Sequence, residues 1–194
     1  MKAHTRETQS SMTPEKSLQY LTEGNQRFQD NLKAHRNLLE QINDTSFGQF
    51  PFATILSCID SRVSAELVFD QGLGDVFSIR IAGNFVNQDI LGSMEFGCKL
   101  AGTKLVVVLG HTSCGAIKGA CDNAKLGNLT AMLNKIKPAV NAVSEPKDKN
   151  LRNSSNLDFV DNVSTKNVLL TLERIRNESD VLSKMEQNGE IMIV

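Results

Sequence analysis

The sequence predicts an α/β fold: a single domain with a central, mainly parallel β-sheet flanked by helices and preceded by an amino-terminal helical arm. Short, nearly continuous apolar runs alternate with segments of helical periodicity, which is the order expected of a parallel sheet with crossover helices. The chain has 194 residues, 40% of them hydrophobic, so it can bury one full core. No internal repeat divides the chain, and residues 1–194 are therefore predicted to form one domain.

The helical arm is predicted over about residues 13–35. Thr13 is a good N-cap residue, Pro14 suits the first helical position, and Glu15 places an acid in the first turn. Apolar residues then recur at helical spacing, namely Leu18, Leu21, Phe28 and Leu32. This stripe could pack on the chain's own core or on a second subunit, and its periodicity does not separate the two alternatives.

Four apolar runs predict the strands of the sheet. Residues 52–59 and 104–110 are almost continuously apolar, as in strands that are covered on both faces. Residues 76–81 predict a third strand and residues 190–194 a fourth. The sequence ends directly after the fourth run, which predicts a short or truncated carboxyl-terminal tail.

Helical patterns separate the apolar runs. They cover about residues 64–69, about residues 90–100, the residues after Gly115, and a longer stretch within residues 162–185. Residues 141–158 are polar and lack an apolar repeat, so they predict either a loop or a capped helical connection.

Charge and composition argue against two classes of partner. A net charge of -1 leaves no basic field that would draw the protein onto nucleic acid or anionic lipid. No stretch reaches the ~18 continuous apolar residues of a membrane span, and the first residues lack the apolar core of a signal peptide. The sequence therefore predicts no nucleic-acid partner, no membrane partner and a cytoplasmic location. Its four cysteines are too few for a disulfide scaffold.

Three potential metal ligands follow two of the predicted strands. Cys58 closes the first strand, while His111 and Cys114 follow the strand that ends at Gly110. Because the carboxyl ends of parallel strands form a common crevice, these side chains are expected at one edge of the sheet. Two cysteines and a histidine with a fourth position open form a catalytic zinc arrangement. Each residue alone would more often be a buried core residue, but their combination favours a metal site.

A second polar pair, Asp60 and Arg62, lies directly after Cys58. The short spacing at a strand-to-helix turn allows the guanidinium group to pair with the carboxylate as a rigid fork. The alternative is that Asp60 caps the next helix and Arg62 is a surface charge. The adjacency of the pair to Cys58 favours a role in the same site.

The segments Cys58-Ile-Asp-Ser-Arg62 and His111-Thr-Ser-Cys114 resemble the two zinc signatures of the β-class carbonic anhydrases, in their bacterial type. Residues 74–84 are also similar to the family, and the resemblance extends from about residue 14 to residue 194. It implies one Zn²⁺ per chain, bound by Cys58, His111 and Cys114, with Asp60 as a further ligand when the site is closed. It also implies a lyase that reversibly hydrates carbon dioxide to bicarbonate and a proton, by attack of a zinc-bound hydroxide.

The resemblance assigns roles to further residues. Asp60 and Arg62 would form a catalytic dyad that orients the hydroxide, with Arg62 keeping Asp60 ionised and off the metal. Substrate-binding positions fall on Gln49, Phe77, Ala82, Phe96 and Gly115. Of these, Gln49 and Phe96 are expected to line a cleft at a subunit interface. The partners implied are carbon dioxide and bicarbonate, together with further copies of the chain in a homodimer or homotetramer.

Some members of this family bind bicarbonate at an inhibitory site that uses a tryptophan. This sequence contains no Trp, although Arg80 matches the arginine of that site. We therefore expect the accessible form, in which Asp60 pairs with Arg62. Proton-shuttle candidates are His4 and His35, by elimination only.

The two remaining cysteines have a simpler interpretation. Cys98 lies in an apolar helical run and Cys121 in a helix of small residues, so both are expected to be packing residues rather than ligands.

Two rival functions would use the same motifs. Carbonyl sulfide and carbon disulfide are linear and electrophilic at carbon, so either would suit the same site as a substrate. A noncatalytic zinc-binding or redox-responsive module would instead use Cys58 and Cys114 only to hold a metal for folding. Asp60 and Arg62 beside an open fourth position argue against the module.

Overall fold

The computed structural model describes residues 2–194. Helices α1 to α10 span Arg6–Ser10, Pro14–Gln29, Leu38–Asp44, Ala65–Val68, Gln88–Glu95, Gly115–Cys121, Gly127–Asn134, Lys137–Ala142, Leu157–Glu178 and Asp180–Gln187. Strands β1 to β4 span Ala53–Ser57, Val76–Arg80, Leu105–Leu109 and Met192–Ile193. A π-helical turn, Phe96–Leu100, continues α5, and a 3-10 turn covers Lys149–Leu151.

The four strands form one parallel sheet in the order β2-β1-β3-β4. The central strand β1 pairs along its whole length with both neighbours, so that Ala53 lies opposite Val76 on one side and Leu105 on the other. Every residue of β1 is buried, which explains why this strand reads as a continuous apolar run. The predicted α/β fold, with its parallel sheet and flanking helices, is confirmed.

The strand order reverses direction at β1. The chain passes from β1 to β2 on one side and then crosses to β3 on the other side. In open α/β sheets such a reversal leaves a crevice at the carboxyl ends of the two strands where it occurs. Here that crevice lies between the ends of β1 and β3, directly after Ser57 and Leu109.

Buried side chains form three clusters around the sheet. One packs α6, α8 and α9 together and includes Cys121, and a second joins β3 to α5 and α10 and includes Cys98. The third covers β1 with α2. Burial raises the pKa of Cys98 and Cys121 to about 11, so both thiols are protonated at neutral pH. Their prediction as packing residues is confirmed.

The arm begins as predicted but is shorter. Thr13 caps α2 by accepting a hydrogen bond from the Lys16 backbone N–H. The helix ends at Gln29 rather than near residue 35 because Asn31 adopts a left-handed conformation, with φ of 56°, which ends a helix. The inner residues of the stripe, Leu18 and Leu21, pack on the chain's own core, whereas its outer residues Phe28 and Leu32 are exposed.

Four short helices, α1, α3, α7 and α8, are additions to the predicted set. The Thr5 and Thr8 side chains form a capping box at the start of α1, and Asn37 caps α3 by accepting from the Glu40 N–H. All four helices have at most eight residues, too few for an apolar period to identify them.

The carboxyl-terminal half also differs in its boundaries. Residues 141–158 form mainly a loop with a short 3-10 turn, the first of the two alternatives. The single long helix predicted within residues 162–185 is two helices that separate at Ser179, whose hydroxyl accepts from the Leu182 N–H and donates to Glu95. Among residues 2–194, even the longest helix, α9, is not apolar enough to cross a membrane.

Candidate metal centre

The structure brings the three predicted ligands together at the crevice between β1 and β3. Cys58 directly follows β1, His111 lies two residues beyond β3, and Cys114 is the N-cap residue of α6. The potential ligand atoms of the three side chains all lie within 4.8 Å of one another. The two Sγ atoms are 3.8 Å apart. Two chain segments far apart in sequence thus form one cluster because their strands are neighbours in the sheet.

His111 is oriented so that one ring nitrogen remains available. Its Nδ1 lies 2.9 Å from the backbone oxygen of Thr112, a contact that places the ring proton on Nδ1. Its Nε2 is buried and has no hydrogen-bond partner among the described residues. In histidine metal ligands, one ring nitrogen typically donates to a carbonyl or carboxylate group while the other binds the metal through its lone pair. His111 has this arrangement, with Nδ1 as the donor and Nε2 free.

The two sulfur atoms also suit a metal cation. Burial, reinforced by the adjacent Cys58, raises the pKa of the Cys114 thiol to about 11. The backbone N–H of Gly83 points at Cys58, 3.4 Å from its Sγ. A buried pair of sulfur atoms is stabilised as thiolates by a divalent cation, and a set of two sulfurs and one imidazole matches the ligand preference of Zn²⁺.

Asp60 and Arg62 form a forked ion pair beside this cluster. Arg62 donates from Nε to Oδ1 at 2.9 Å and from Nη2 to Oδ2 at 2.8 Å, and its backbone N–H donates to Oδ1 at 3.0 Å. These bonds hold the pKa of the Asp60 carboxyl well below its usual range. Asp60 Oδ2 lies 3.9 Å from His111 Nε2. The alternative of a helix cap is wrong, because α4 begins at Ala65 with Ser64 as its N-cap residue.

Arg80 contacts the backbone of the same loop. Its Nε donates to the carbonyl oxygen of Cys58 at 3.0 Å, and its Nη2 donates to that of Asp60 at 2.7 Å. Arg80 therefore holds the backbone that carries both a ligand and the dyad acid. The sequence marked Arg80 only as the match to an inhibitory site, and nothing in its local spacing indicated these carbonyl contacts.

Helix α9 supplies further contacts that sequence reasoning missed. Asp161 accepts a hydrogen bond from the backbone N–H of Ser113 at 3.0 Å, and Ser164 donates to the carbonyl oxygen of His111 at 2.9 Å. The available signal was the three-residue spacing of polar side chains in a helix whose neighbouring residues, Val160 and Val163, are fully buried.

The predicted substrate-binding residues occupy two places. Phe77 and Phe96 come together, with ring centroids 6.2 Å apart, and line a groove of about 800 Å³ between β2 and α5. Ala82 is half-buried next to the turn that reaches Cys58, and Gly115 is the first residue of α6. Gln49 is exposed in the loop before β1. Their roles in binding substrate stay predictions.

One proton-shuttle candidate lies far from the cluster. The His4 ring packs edge-on against Phe52, with centroids 5.3 Å apart. Phe52 precedes β1, whereas Cys58 follows it. His4 therefore lies at the amino-terminal end of the strands, and the cluster lies at their carboxyl-terminal end. Its own chain therefore gives it no short path to the metal cluster.

Comparisons with known proteins agree on one family. Residues 53–194 match the family model described as "Carbonic anhydrase". The chain is 33% identical to Carbonic anhydrase 2 of Mycobacterium tuberculosis over 180 residues, which cover 90% of this chain and 83% of that protein.

Solved structures share the fold. The β-carbonic anhydrase CcaA has a TM-score of 0.65 and 26% identity over 91% of this chain and 87% of its own. Among two tetrameric β-carbonic anhydrases from Sordaria macrospora, the matched chain has a TM-score of 0.66 at 20% identity, covering 91% of this chain and 89% of its own.

Proposed function

Because the chain belongs to the β-class carbonic anhydrase family, we propose that it reversibly hydrates carbon dioxide to bicarbonate and a proton at one zinc ion held by Cys58, His111 and Cys114. The observation that carries the proposal is the buried, unpartnered Nε2 of His111 in a cluster with two cysteine sulfurs. An ion-paired carboxylate beside that cluster favours a catalytic site over one that holds a metal only for folding.

The chemistry divides between the metal and the protein. When bound, zinc would lower the pKa of a water ligand so that a hydroxide nucleophile is available near neutral pH. Asp60 would accept a hydrogen bond from that nucleophile and direct its lone pair towards carbon. Arg62 would keep Asp60 ionised and hold both carboxylate oxygens, so that Asp60 enters the metal's coordination sphere only in a closed form.

The substrate side of the site is proposed to combine apolar walls with one polar group. Carbon dioxide carries no charge, so the surfaces of Phe77, Ala82, Phe96 and Gly115 suit it, while the Gln49 amide would orient one oxygen. Phe96 is 52% exposed and Gln49 is also exposed, which supports a pocket that a second copy completes. The proposal therefore includes a homodimer or homotetramer, and tetrameric relatives support it.

A cytoplasmic location belongs to the same proposal. The four cysteines are all free and buried, and two of them would serve as thiolate ligands. Such thiols persist in a reducing compartment.

The first test is stopped-flow hydration of carbon dioxide on purified protein between about pH 6.5 and 9, the range in which zinc-bound water ionises, with zinc content measured on the same sample. We expect activity with about one zinc per chain. No activity at full zinc occupancy would refute the proposal. If that sample turned over carbonyl sulfide or carbon disulfide, the protein would be an enzyme for one of these rival substrates. If it turned over neither, the noncatalytic zinc-binding module would be favoured.

The assigned role of Asp60 is tested by Asp60→Asn. This variant keeps the three ligands, so zinc content should stay at the wild-type level, while kcat/KM should fall about 100-fold or more because the nucleophile loses its hydrogen-bond acceptor. Asp30→Asn, a matched change at an exposed residue at the end of α2, should keep full activity. Wild-type kcat/KM in Asp60→Asn would remove Asp60 from the mechanism.

A further inference from the structure

Three polar side chains of α9 bind the backbone on which the metal ligands are mounted. They are Asp161, Ser164 and Asn167, which recur every three residues; Ser164 and Asn167 are buried. The metal ligands themselves come from two separate loops, after β1 and after β3. Because α9 is a single rigid element of 22 residues, side chains fixed on it can set the two loops relative to each other.

The contact of Asp161 acts on the turn between two ligands. Ser113 lies between His111 and Cys114 and has a φ of 54°, a left-handed conformation that is unfavourable for a residue with a side chain. Its backbone N–H donates to Asp161 Oδ1 at 3.0 Å. The carboxylate therefore stabilises a strained turn whose conformation sets the separation of the two ligands.

The other two contacts act on the remaining parts of the cluster. Ser164 donates to the carbonyl oxygen of His111 at 2.9 Å, so it binds the ligand residue's own backbone. Asn167 donates through Nδ2 to the carbonyl oxygen of Gly83 at 2.8 Å, and the N–H of Gly83 in turn points at Cys58 Sγ. Asn167 is thus connected to the third ligand through one residue.

We propose that Asp161, Ser164 and Asn167 form a positioning row that holds the three metal ligands in their binding geometry. The inference rests on the proposed zinc site, since the row acts on the ligands of that site. Outer partners of metal ligands typically contribute about 10-fold to 100-fold in metal affinity. The row should therefore be detected first as a change in zinc binding, with any loss of turnover following from it.

The test measures zinc affinity by competition with a chelator, and the visible spectrum of the Co²⁺-substituted protein, on folded full-length variants. Asp161→Ala should weaken zinc binding about 10-fold and alter the Co²⁺ spectrum, because the Ser113 turn loses its acceptor. Asp161→Asn keeps an oxygen acceptor and should remain close to wild type. Asn162→Ala, at the exposed neighbouring position of α9, is the matched control and should change neither measurement.

A second substitution tests the turn directly. Glycine adopts a positive φ without penalty, so Ser113→Gly should recover part of the zinc affinity lost in Asp161→Ala. Ser164→Ala, which removes a single hydroxyl group, should weaken zinc binding independently of Asp161.

The inference is overturned if Asp161→Ala and Ser164→Ala both bind zinc as tightly as wild type. It is also overturned if Asp161→Asn loses as much affinity as Asp161→Ala. These measurements do not depend on turnover. A wild-type protein that binds zinc but does not hydrate carbon dioxide would refute the proposed function and leave the positioning row to be judged on affinity alone.

Discussion

The hydrogen bonds that His111 and Asp60 make to their neighbours determine which of their atoms can bind a metal or a further donor. The Nδ1 of His111 is taken up by the Thr112 carbonyl group, so its Nε2 keeps a lone pair and no proton. Both oxygens of Asp60 accept bonds from Arg62, which keeps the carboxyl ionised and beside the imidazole rather than within the ligand cluster. The ring can therefore bind a cation, while the carboxylate can accept a further hydrogen bond.

The difference between ligand and packing cysteines gives a direct prediction. Cys114→Ala removes one of three ligands, so zinc content should fall far below one per chain and hydration activity should be lost with it. Cys121→Ala, seven positions later on the same helix, removes a buried thiol outside the cluster and should retain about one zinc per chain. Metal analysis after gel filtration measures both. Equal zinc content in the two variants would contradict the ligand assignment.

At this scale the sequence was most informative where one short segment carries the chemistry. Cys58, Asp60 and Arg62 could be predicted to act together because they are consecutive or nearly so. Arg80 and Asp161 could not, since each binds backbone atoms of a segment distant in sequence and the contact exists only after the strands pair. For Asp161 the only local signal was the three-residue spacing of polar side chains in α9, which does not identify the backbone group that the side chain binds.

Among the elements, a buried charge in the loop after α4 joins the end of the arm to the rest of the fold. Asp70 is 6% exposed and accepts bonds from Arg27 at 2.5 Å, from Arg36 at 2.6 Å and from the Ala34 N–H at 3.1 Å. Burial of Asp70 opposes its ionisation, but these three bonds outweigh burial and lower the pKa of the carboxyl. The segment that follows α2 therefore depends on a carboxylate that lies between α4 and β2.

Replacing this carboxylate should loosen the arm in a pH-dependent way. Asp70→Asn keeps a side chain that tolerates the left-handed backbone, φ 44°, but leaves two arginines without their counter-charge. Removing one partner of a buried ion pair costs about 3 kcal/mol or more, so we expect a loss of this size in the free energy of unfolding at pH 7. Urea denaturation measures the loss.

The sign of the pH dependence follows from the lowered pKa. A carboxyl whose pKa is depressed in the folded state contributes stability above its unfolded pKa of about 3.9, and the contribution is lost as pH falls through the folded value. The difference in the free energy of unfolding between Asp70→Asn and wild type should therefore narrow below about pH 4. The exposed Asp44→Asn is the control and should show little difference at any pH. If the difference in the free energy of unfolding stayed constant with pH, it would contradict an ionised Asp70.

Element types could be predicted from periodicity, but element ends depended on single residues. The strands were found because both-face burial makes them apolar throughout. The end of α2 was missed because it is set by the left-handed Asn31, and the break after α9 because the Ser179 hydroxyl bonds to Glu95 as well as capping α10. Each of these depends on one backbone conformation or one distant partner.

For the whole molecule, the open surface next to β2 is the feature that points beyond one chain. β2 is an edge strand of the sheet, and the groove beside it exposes the rings of Phe77 and Phe96. Unpaired strand edges and apolar grooves favour association with another chain. This is the surface on which the proposed second copy would complete the pocket.

An acidic residue on this surface should separate subunits. Phe96→Asp places a charge at a 52% exposed aromatic position, and loss of a central interface residue costs about 2 kcal/mol or more, roughly a 30-fold weaker association. Light scattering should show a shift towards the 21.3 kDa single chain, with hydration activity falling in parallel. Leu126→Asp, at a 72% exposed position before α7, is the matched control. An unchanged mass in Phe96→Asp, or a fully active wild-type monomer, would contradict the shared pocket.

Because the ligands lie after β1 and β3, a bound ion would add to the cohesion of the chain. Cys58 and Cys114 are 56 positions apart, so an ion bound to both would close a long loop in the polypeptide, as a cross-link does. By the chain-entropy relation for covalent cross-links, closing a loop of that length restricts the unfolded ensemble by about 4 kcal/mol. The ion would thus link the carboxyl ends of the two central strands, β1 and β3, which the crossover through β2 separates in sequence. Metal retention and persistence of the folded sheet then depend on the same pair of strands staying side by side.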